Sequence, residues 1–316
     1  MPKSYALATL LTPGLLAAQA LPPYVPINPV LASRSAIYAQ PVVPARAGWH
    51  TSVSIDYSNA IETGKASSER EYLFDAELMQ VDLWLTRDLS PHWFMTGNVA
   101  LRSAHDGFLD SFLNWYHDVI KLPVPARNRR PIDTYGWRFT LPNGSYDYPR
   151  QGAFLGDLRV GMGRRLGSGQ VVASVTLPTA TNSVDAWSRN TVAGAASATF
   201  RVLDNSRVLL ELGGTVGYTP TSGELAEYQR TFFMGATTGV RWRVIRQQAV
   251  FATLLVQSAN YKGTGFAALD EPEVTLDFGG LLQLKEGWPA LQIGMTEDLL
   301  PRGPSVDAGF RLGLHW

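Results

Sequence analysis

The last residues of the chain, 306–316, alternate between apolar side chains and polar or glycine residues with a period of two. This alternation predicts a β-strand with one apolar face. The strand stops at an aromatic residue, which is typical of a barrel whose last strand closes against the first and is read by the barrel-assembly machinery. The edge strand of a soluble sandwich is the alternative. The predicted assembly signal consists of Phe310, Leu312, Leu314 and Trp316.

Residues 1–20 have the layout of an export signal. Lys3 is followed by an apolar run from Tyr5 to Ala18, and Ala18-Gln19-Ala20 has the small-x-small form of a signal-peptidase site. We therefore predict cleavage after Ala20 and export. The alternative is an inner-membrane anchor, but the apolar run is too short for a membrane-spanning helix.

Residues 21–47 are rich in proline, which predicts an extended segment. The segment is either a periplasmic lead-in to the barrel or a plug that is tucked into the barrel mouth. We assign the rest of the chain, residues 48–316, to a single barrel domain.

The composition narrows the class of protein. The chain has 27 basic and 27 acidic residues and a net charge of zero, which argues against a nucleic-acid partner. It has no cysteine and therefore neither a disulfide framework nor a lipid anchor. Its 29 glycines, 9 tryptophans and 12 tyrosines suit a barrel whose apolar outer residues alternate with polar inner ones.

The sequence pattern predicts about twelve antiparallel strands that are joined alternately by short turns and longer polar loops. This alternation is expected of an outer-membrane β-barrel with both termini in the periplasm. The fold class is therefore all-β, a transmembrane antiparallel barrel with a short helix in its longest extracellular loop. The predicted strands are 49–58, 71–86, 92–103, 152–166, 169–178, 190–202, 206–219, 230–246, 248–261, 273–284, 287–298 and 305–316. The predicted long loops are 59–70, 104–151, 179–189, 220–229, 262–272 and 299–304.

Alternation along the strands also predicts which charged side chains face the lumen. In 71–86 the acidic residues share a phase with Leu83 and Leu85, so we expect a β-bulge between Met79 and Val81. Charges of both signs in a narrow lumen should form ion pairs across it. The candidate lumen-lining residues are Asp75, Glu77, Asp157, Arg159, Arg241, Arg243, Asp277, Asp307 and Arg311.

Four blocks of the sequence resemble a family of uncharacterised Gram-negative outer-membrane proteins, domain of unknown function family 3187. They are Asp106 to Pro123, Gly156-Asp157-Leu158-Arg159, Leu177-Pro178-Thr179 and Glu297-Asp298-Leu299. The resemblance runs from about Pro26 to Trp316. This chain has Ile120-Lys121 where the family pattern has Phe-Gly. The resemblance implies an outer-membrane location and a barrel fold, and no established activity.

The longest loop, the insert 104–151, contains apolar residues at helical spacing, which predicts a short amphipathic helix. Loops of this length are often functional. We expect the helix to fold onto or into the extracellular mouth as a lid, with Asp110 and His117 nearest the solute path. A helix packed on the barrel rim is the alternative. The candidate lid or ligand residues are Asp106, Phe108, Asp110, Phe112, Tyr116 and His117.

The same loop also contains candidate residues for binding lipopolysaccharide or a metal ion. Lys121, Arg127, Arg129 and Arg130 are candidates for binding lipopolysaccharide phosphates, with a solvated loop as the alternative. The histidines and acids of the loop lack the spacing of a metal site, so we predict no metal and no cofactor.

The sequence contains no Gly-x-Ser-x-Gly motif, and we expect no enzymatic activity. The predicted function is passage or binding of a small solute or apolar ligand at the outer membrane, by a monomer surrounded by outer-membrane lipid. A structural or surface-interaction barrel and an outer-membrane hydrolase are the alternatives.

Overall fold

The computed structural model describes residues 20–34, 38–45, 48–121, 127, 130–182, 187–245, 247–285, 287–300, 303–304 and 306–316. The predicted signal peptide lies outside these residues except for Ala20. The strands are β1 Trp49–Ser67, β2 Arg70–Asp88, β3 Trp93–His105, β4 Gly136–Leu141, β5 Gly144–Asp147, β6 Gln151–Leu155, β7 Leu158–Leu166, β8 Gly169–Leu177, β9 Ala193–Asp204, β10 Val208–Tyr218, β11 Phe232–Ile245, β12 Gln248–Gln257, β13 Glu273–Leu282, β14 Ala290–Asp298 and β15 Ala308–His315. The helices are α1 Pro29–Ala32, α2 Asp110–Ile120 and α3 Ala267–Asp270.

Thirteen of these strands form a closed antiparallel barrel of twelve, as the sequence predicts, because β6 and β7 together make one barrel strand. Neighbours along the chain pair with each other, and β1 closes the ring against β15 in register from Ser52 opposite His315 to Asn59 opposite Ala308. β6 and β7 both pair with β3 and are two halves of one barrel strand, broken at Gly156 and Asp157. The β4–β5 hairpin extends the wall beside β2 at the long-loop end.

The two faces of the wall differ as a membrane barrel requires. On β11, Phe232, Met234, Val240 and Trp242 point outward and are exposed, whereas Arg241 points inward and is buried. Five tryptophans at the short-turn end each expose at least 43% of their surface, as a girdle at a membrane interface does. They are Trp49, Trp93, Trp242, Trp288 and Trp316. Short turns are periplasmic in such barrels. In the part of the chain that the structure describes, no helix has the length and apolar character needed to cross a membrane.

Two predictions about β1 and β2 were wrong. Each strand has 19 residues, and they are joined by a turn at residues 68–69 where the sequence suggested a loop over 59–70. The pairing of β1 with β2 runs unbroken past Met79 and Val81, so the predicted bulge is absent there. Asp75 and Glu77 instead keep their phase and point outward, where the long insert covers them.

The proline-rich residues 21–34 and 38–45, which we call the plug, lie inside the barrel. Leu21 packs near the short-turn end against Phe251 and Leu281. At the far end of the plug, Ile27 and Val30 join an aromatic cluster that includes Trp137 and packs in the extracellular part of the lumen. The chain then returns toward the short-turn end, where it meets β1. The plug is therefore a hairpin that enters and leaves the lumen at the periplasmic end.

Candidate functional site

The centre of the lumen contains a buried ion-pair group. Arg311 donates to Asp56 at 2.5 Å and to Asp277 at 2.9 Å, and each of the three side chains is at most 7% exposed. The guanidinium also lies over the ring of Tyr24 of the plug, 4.8 Å from its centroid. Because the two acids stand on β1 and β13 on either side of Arg311, the group joins three strands across the closing seam.

A second polar network lines the adjoining part of the wall, on the strands that follow β1. Arg159 donates to Asn98 at 2.7 Å, and Asn98 donates to Asp82 at 3.2 Å. Arg102 donates to Gln80 at 2.7 Å. These side chains are all buried. They are hydrogen-bonded to one another across β2, β3 and β7, although Nη2 of Arg102 and Nε of Arg159 are buried without a hydrogen bond to any residue that the structure describes.

Six of the nine candidate lumen residues point into the barrel or line its inner wall. They are Asp157, Arg159, Arg241, Arg243, Asp277 and Arg311. Asp157 lies at the break between β6 and β7 and accepts hydrogen bonds from the amides of Thr179 and Ala180 and from the Ser188 hydroxyl.

The other three candidates are corrections. Asp75 and Glu77 point out of the barrel, where Arg130 donates to Asp75 at 2.8 Å and the Tyr57 hydroxyl donates to Glu77. Asp307 also lies outside, in a cluster with Arg127. The expected pairing of Arg311 with Asp75 or Glu77 is replaced by its pairing with Asp56 and Asp277, because only the latter two share its face of the wall.

The wall holds the plug through the main chain of the plug. Glu211 accepts a hydrogen bond from the Val42 amide at 3.0 Å, and Thr215 accepts one from the Ala39 amide at 2.6 Å. Gln170 donates to two plug carbonyl oxygens at 3.0 and 3.2 Å. An extended segment has no internal partners for its amides and carbonyls, so inward polar side chains of the strands supply them.

The far end of the plug is fixed by one buried arginine. Arg34 is 0% exposed and donates to the Asn260 side chain at 2.9 Å and to the Ser258 carbonyl at 2.8 Å. Its guanidinium also lies 5.3 Å from the ring centroid of Phe233. Asn260 in turn donates to the Val30 carbonyl and accepts from Arg189.

The wall also makes room for the plug with glycines on its inner face. A Cβ atom at Gly213 would lie 2.7 Å from the Cβ of Ala39, and one at Gly239 would lie 2.5 Å from Cδ1 of Leu21. Both distances are shorter than real carbon contacts, so a side chain at either position would force its neighbours to shift. At Gly213 these neighbours include Oγ1 of Thr237 on the wall, which would be closer still, as well as the plug.

A cavity of about 120 Å³ remains between the plug and the wall at the periplasmic end. Its lining is mainly apolar. Leu21, Pro22 and Val42 contribute from the plug, and Trp84 and Val172 contribute from the wall. Hydroxyl and amide side chains of the strands complete the lining. The cavity has the size of a small organic molecule and polar groups that suit a few hydrogen bonds.

One hydrogen-bonded chain beside this cavity was not foreseen from the sequence. The Ser52 hydroxyl lies 2.8 Å from Nδ1 of His315, whose Nε2 lies 2.9 Å from Oε1 of Gln292. A serine beside a histidine is one part of a hydrolytic site. Here, however, Ser52 and His315 are directly opposed residues of β1 and β15, so their contact is the cross-strand pair that the closing seam produces.

Helix α2 does not cover the barrel mouth, and the lid prediction was wrong. The helix packs on the outer wall, where Leu109 and Leu113 contact Ala308 of β15. Phe112 meets the outward ring of Phe310 at 5.9 Å, and the residues predicted nearest the solute path are buried between helix and wall. The helical spacing predicted the helix itself, but it indicated neither the side of the barrel on which the helix lies nor the burial of Asp110 and His117 against the wall.

The candidate lid residues therefore make external contacts. Asp106 pairs with Arg150 at 2.8 Å. Phe108 stacks on Tyr57 at 5.4 Å. Tyr116 donates to Glu297 at 3.1 Å.

The central contact of the insert is a buried cluster around Arg127. Arg127 donates to Asp110 at 2.8 Å and to Asp307 at 2.6 Å, and His117 lies 3.2 Å from Asp307. Arg127 is therefore committed to protein acids, and Arg130 is paired with Asp75, which corrects their assignment to lipopolysaccharide phosphates. Lys121 is exposed, and Arg129 lies outside the described residues.

The neighbours of Asp307 determine the pKa of its carboxyl. Burial raises the pKa of the Asp307 carboxyl, but the hydrogen bond from His117 and the charge of Arg127 outweigh burial, so that its pKa lies below the usual range.

Within the described ranges there is no group of three or more histidine, cysteine, aspartate or glutamate side chains that is arranged to hold a metal ion.

Comparison with solved structures agrees with this architecture. The COG4313 outer membrane channel from Pseudomonas putida F1 has a TM-score of 0.55 and 15% identity, over 87% of this chain and 98% of that chain. A Pseudomonas aeruginosa FadL homologue has a TM-score of 0.45 and 9% identity, over 96% of this chain and 97% of that chain. The first of these is sufficient to assign the fold of an outer-membrane β-barrel.

Comparison by sequence gives the family. No curated protein matches the chain. The sequence pattern described as "Protein of unknown function (DUF3187)" matches residues 12–316, which is nearly the whole chain. Together with the barrel and the four motif blocks, this match shows that the chain belongs to the DUF3187 family.

Proposed function

We propose that the protein is an outer-membrane channel for small, largely apolar solutes, and that the plug moves to let them pass. The observation that carries the proposal is the cavity of about 120 Å³ between plug and wall at the periplasmic end. An engineered apolar protein cavity of about 150 Å³ binds benzene, so a cavity of this size can accept a single small ring.

The way the returning arm of the plug is held supports its movement. Its main-chain hydrogen bonds to Thr215 and Glu211 can be exchanged for bonds to water, and they contribute about 1 kcal/mol net for the neutral hydroxyl and about 1.5–3 kcal/mol for the carboxylate. The wall itself is held by its strand pairing and by the ion pairs of Arg311 with Asp56 and Asp277, and of these three side chains only Arg311 also contacts the plug, through the ring of Tyr24. Movement of the plug would therefore leave the ring of strands intact.

A purely structural or surface-interaction barrel is the competing function, and it predicts neither ligand binding nor conduction. The first test is binding, with benzene as the probe and glycerol as the polar control. The protein is labelled with 5-fluorotryptophan in lipid nanodiscs, and the ¹⁹F resonance of Trp84 is assigned with Trp84→Phe. We expect a saturable shift of this resonance with benzene and none with glycerol.

Matched variants localise the binding. Val172 lines the cavity and Val171 points outward on the same strand. Val172→Phe should abolish the shift because the larger ring fills the cavity, whereas Val171→Phe should leave it intact. An equal shift in both variants would show that benzene acts through the lipid and would overturn the assignment of the cavity.

The second test is conduction with the plug locked or free. Because the chain has no cysteine, Ala39→Cys together with Thr215→Cys provides a single disulfide between plug and wall. In planar bilayers the reduced form should show channel openings and the oxidised form should be silent, with disulfide formation checked by gel mobility. Silence of both the reduced form and the unmodified protein would favour the structural barrel.

Export after Ala20, reading of the terminal strand by the assembly machinery and the monomeric state belong to the same proposal. An N-terminal sequence of the protein purified from outer membranes that begins at Leu21 would support the cleavage site.

A further inference from the structure

Helix α2 has three faces, and only one of them is buried against the barrel. Leu109, Leu113 and His117 face the wall and are buried. Ser111 and Asp118 form a second, polar face and are exposed. The third face is apolar. It carries Phe108 just before the helix and then Phe112, Trp115 and Val119, with exposures of 70%, 42%, 59% and 58%.

The apolar face continues the lipid-facing surface of the barrel. Phe112 contacts Phe310, which is followed along β15 by the exposed outward residues Leu312 and Leu314. The face and the strand together form one apolar surface, and its lower part is the surface that a membrane barrel turns toward hydrocarbon.

The height of the helix agrees with this continuity. Ala308 lies under the helix and stands eight positions before the girdle residue Trp316. At about 3.3 Å per residue and a strand tilt of roughly 40°, the two levels are about 20 Å apart. The apolar band of such barrels is about 25 Å tall, so the helix lies at the extracellular border of the hydrocarbon.

We infer that α2 is an interfacial helix that inserts Phe108, Phe112, Trp115 and Val119 among the acyl chains of the outer leaflet. A helix lying on the wall at this level has one side toward the hydrocarbon and the other toward water. The apolar face of α2 would lie on the first side and its polar face on the second. Amphipathic helices with aromatic side chains on one face bind membranes in this way. The inference is independent of the proposed channel function.

The absence of cysteine makes a direct test possible, because single cysteines can be spin-labelled in the otherwise unchanged chain. Labels at Trp115→Cys and Val119→Cys report the apolar face, and labels at Ser111→Cys and Asp118→Cys report the polar face. Leu312→Cys serves as the lipid reference and Ser168→Cys, in a short turn, as the water reference. The full-length protein is reconstituted in phosphatidylethanolamine–phosphatidylglycerol vesicles.

Collision rates with oxygen and with a water-soluble nickel chelate are then measured by electron paramagnetic resonance. Labels at 115 and 119 should resemble the label at 312, with several-fold more collisions with oxygen than with nickel, and labels at 111 and 118 should resemble the label at 168. Equal nickel access at all four helix positions would overturn the inference. Spin–spin broadening at 115 that disappears when labelled protein is diluted with unlabelled protein would instead assign the face to a second copy.

Discussion

The plug and the insert that contains α2 are both long segments packed on the same barrel wall, one on the inside and one on the outside. The returning arm of the plug, residues 38–45, is held mainly through its main chain, by single hydrogen bonds with inward side chains such as Gln170 and Thr215, whereas the buried Arg34 anchors its far end. The outer insert is held through its side chains, by the ion pairs of Arg127 with Asp110 and Asp307 and by packed rings.

This difference separates a segment that can move from one that is fixed. Main-chain hydrogen bonds to water replace those to the wall at small net cost, whereas a buried charge that loses its partner has no equivalent substitute. We therefore expect substitutions in the wall, the insert and the plug to lower the stability of the folded protein by decreasing amounts.

The largest effect is expected from Arg311→Leu, which leaves the buried acids Asp56 and Asp277 without their cation. Removing one partner of a buried pair typically costs about 3–5 kcal/mol. The temperature at which the folded band disappears on detergent gels should fall clearly. Lys65→Ala is the control, because Lys65 is 69% exposed. Equally small effects of both changes would indicate a wide, water-filled lumen.

A smaller and local effect is expected from Asp110→Ala in the outer insert. Arg127 would keep Asp307 but lose one charged hydrogen bond, a loss of about 1.5–3 kcal/mol. Trypsin should then cleave within the insert at least tenfold faster, while the barrel keeps its unfolding temperature. Ser111→Ala, on the exposed face of the same helix, should leave the cleavage rate unchanged. A barrel that unfolds together with the insert would contradict the comparison.

The plug should respond more weakly in stability and more strongly in conduction. Gly213→Val places a side chain where Ala39 of the plug lies, and it is made together with Thr237→Ala because the Thr237 hydroxyl of the wall would also be too close. Gly214→Val, next to it on β10, adds a side chain on the outward face. The first variant should raise the open fraction in bilayer recordings with little change in the unfolding temperature of the barrel. If Gly213→Val instead prevents assembly, the plug is part of the folding core and not a movable segment.

The smallest effect concerns pH. The pKa of Asp307 is lowered in the folded protein, so its contribution to stability is present above its ordinary pKa of 3.8 and is lost as the pH falls through the folded value. A spin label at Asp118→Cys should therefore become more mobile only as the pH falls well below 3.8, through the lowered pKa at which Asp307 takes up a proton in the folded protein. The label should not change in the Asp307→Asn variant, and a change of equal size there would assign the transition to other groups.

Much of the barrel could be predicted from the sequence, because alternation reports directly on a wall with one apolar and one polar face. On β11 and β13, the assignments of Trp242, Arg241 and Asp277 match the structure. The rule fails on β2, because it assumes that every side chain that points outward faces lipid. Asp75 and Glu77 point outward but contact the insert, and no periodicity in β2 reports what covers it.

The candidate site was less predictable for two physical reasons. A proline-rich segment has no periodicity, so only its contacts with Thr215, Glu211 and other wall residues reveal where it lies. The helical spacing around Phe112 identifies an apolar face, but the same spacing serves for a lid and for an external helix. Neither position follows from local sequence, because both depend on contacts between residues far apart in the chain.

Because the plug is a hairpin whose two arms both reach the periplasmic end, the barrel is not threaded by its own chain. Ala20 and Val43 lie at the same cavity, and β1 begins shortly afterwards at Trp49. The loop can therefore be drawn out and returned without a chain end passing through the ring and without opening the seam between β1 and β15. Any pull on the second arm acts directly on β1, so the motion of the plug and the mechanical strength of the closing seam are linked by only a few residues of chain.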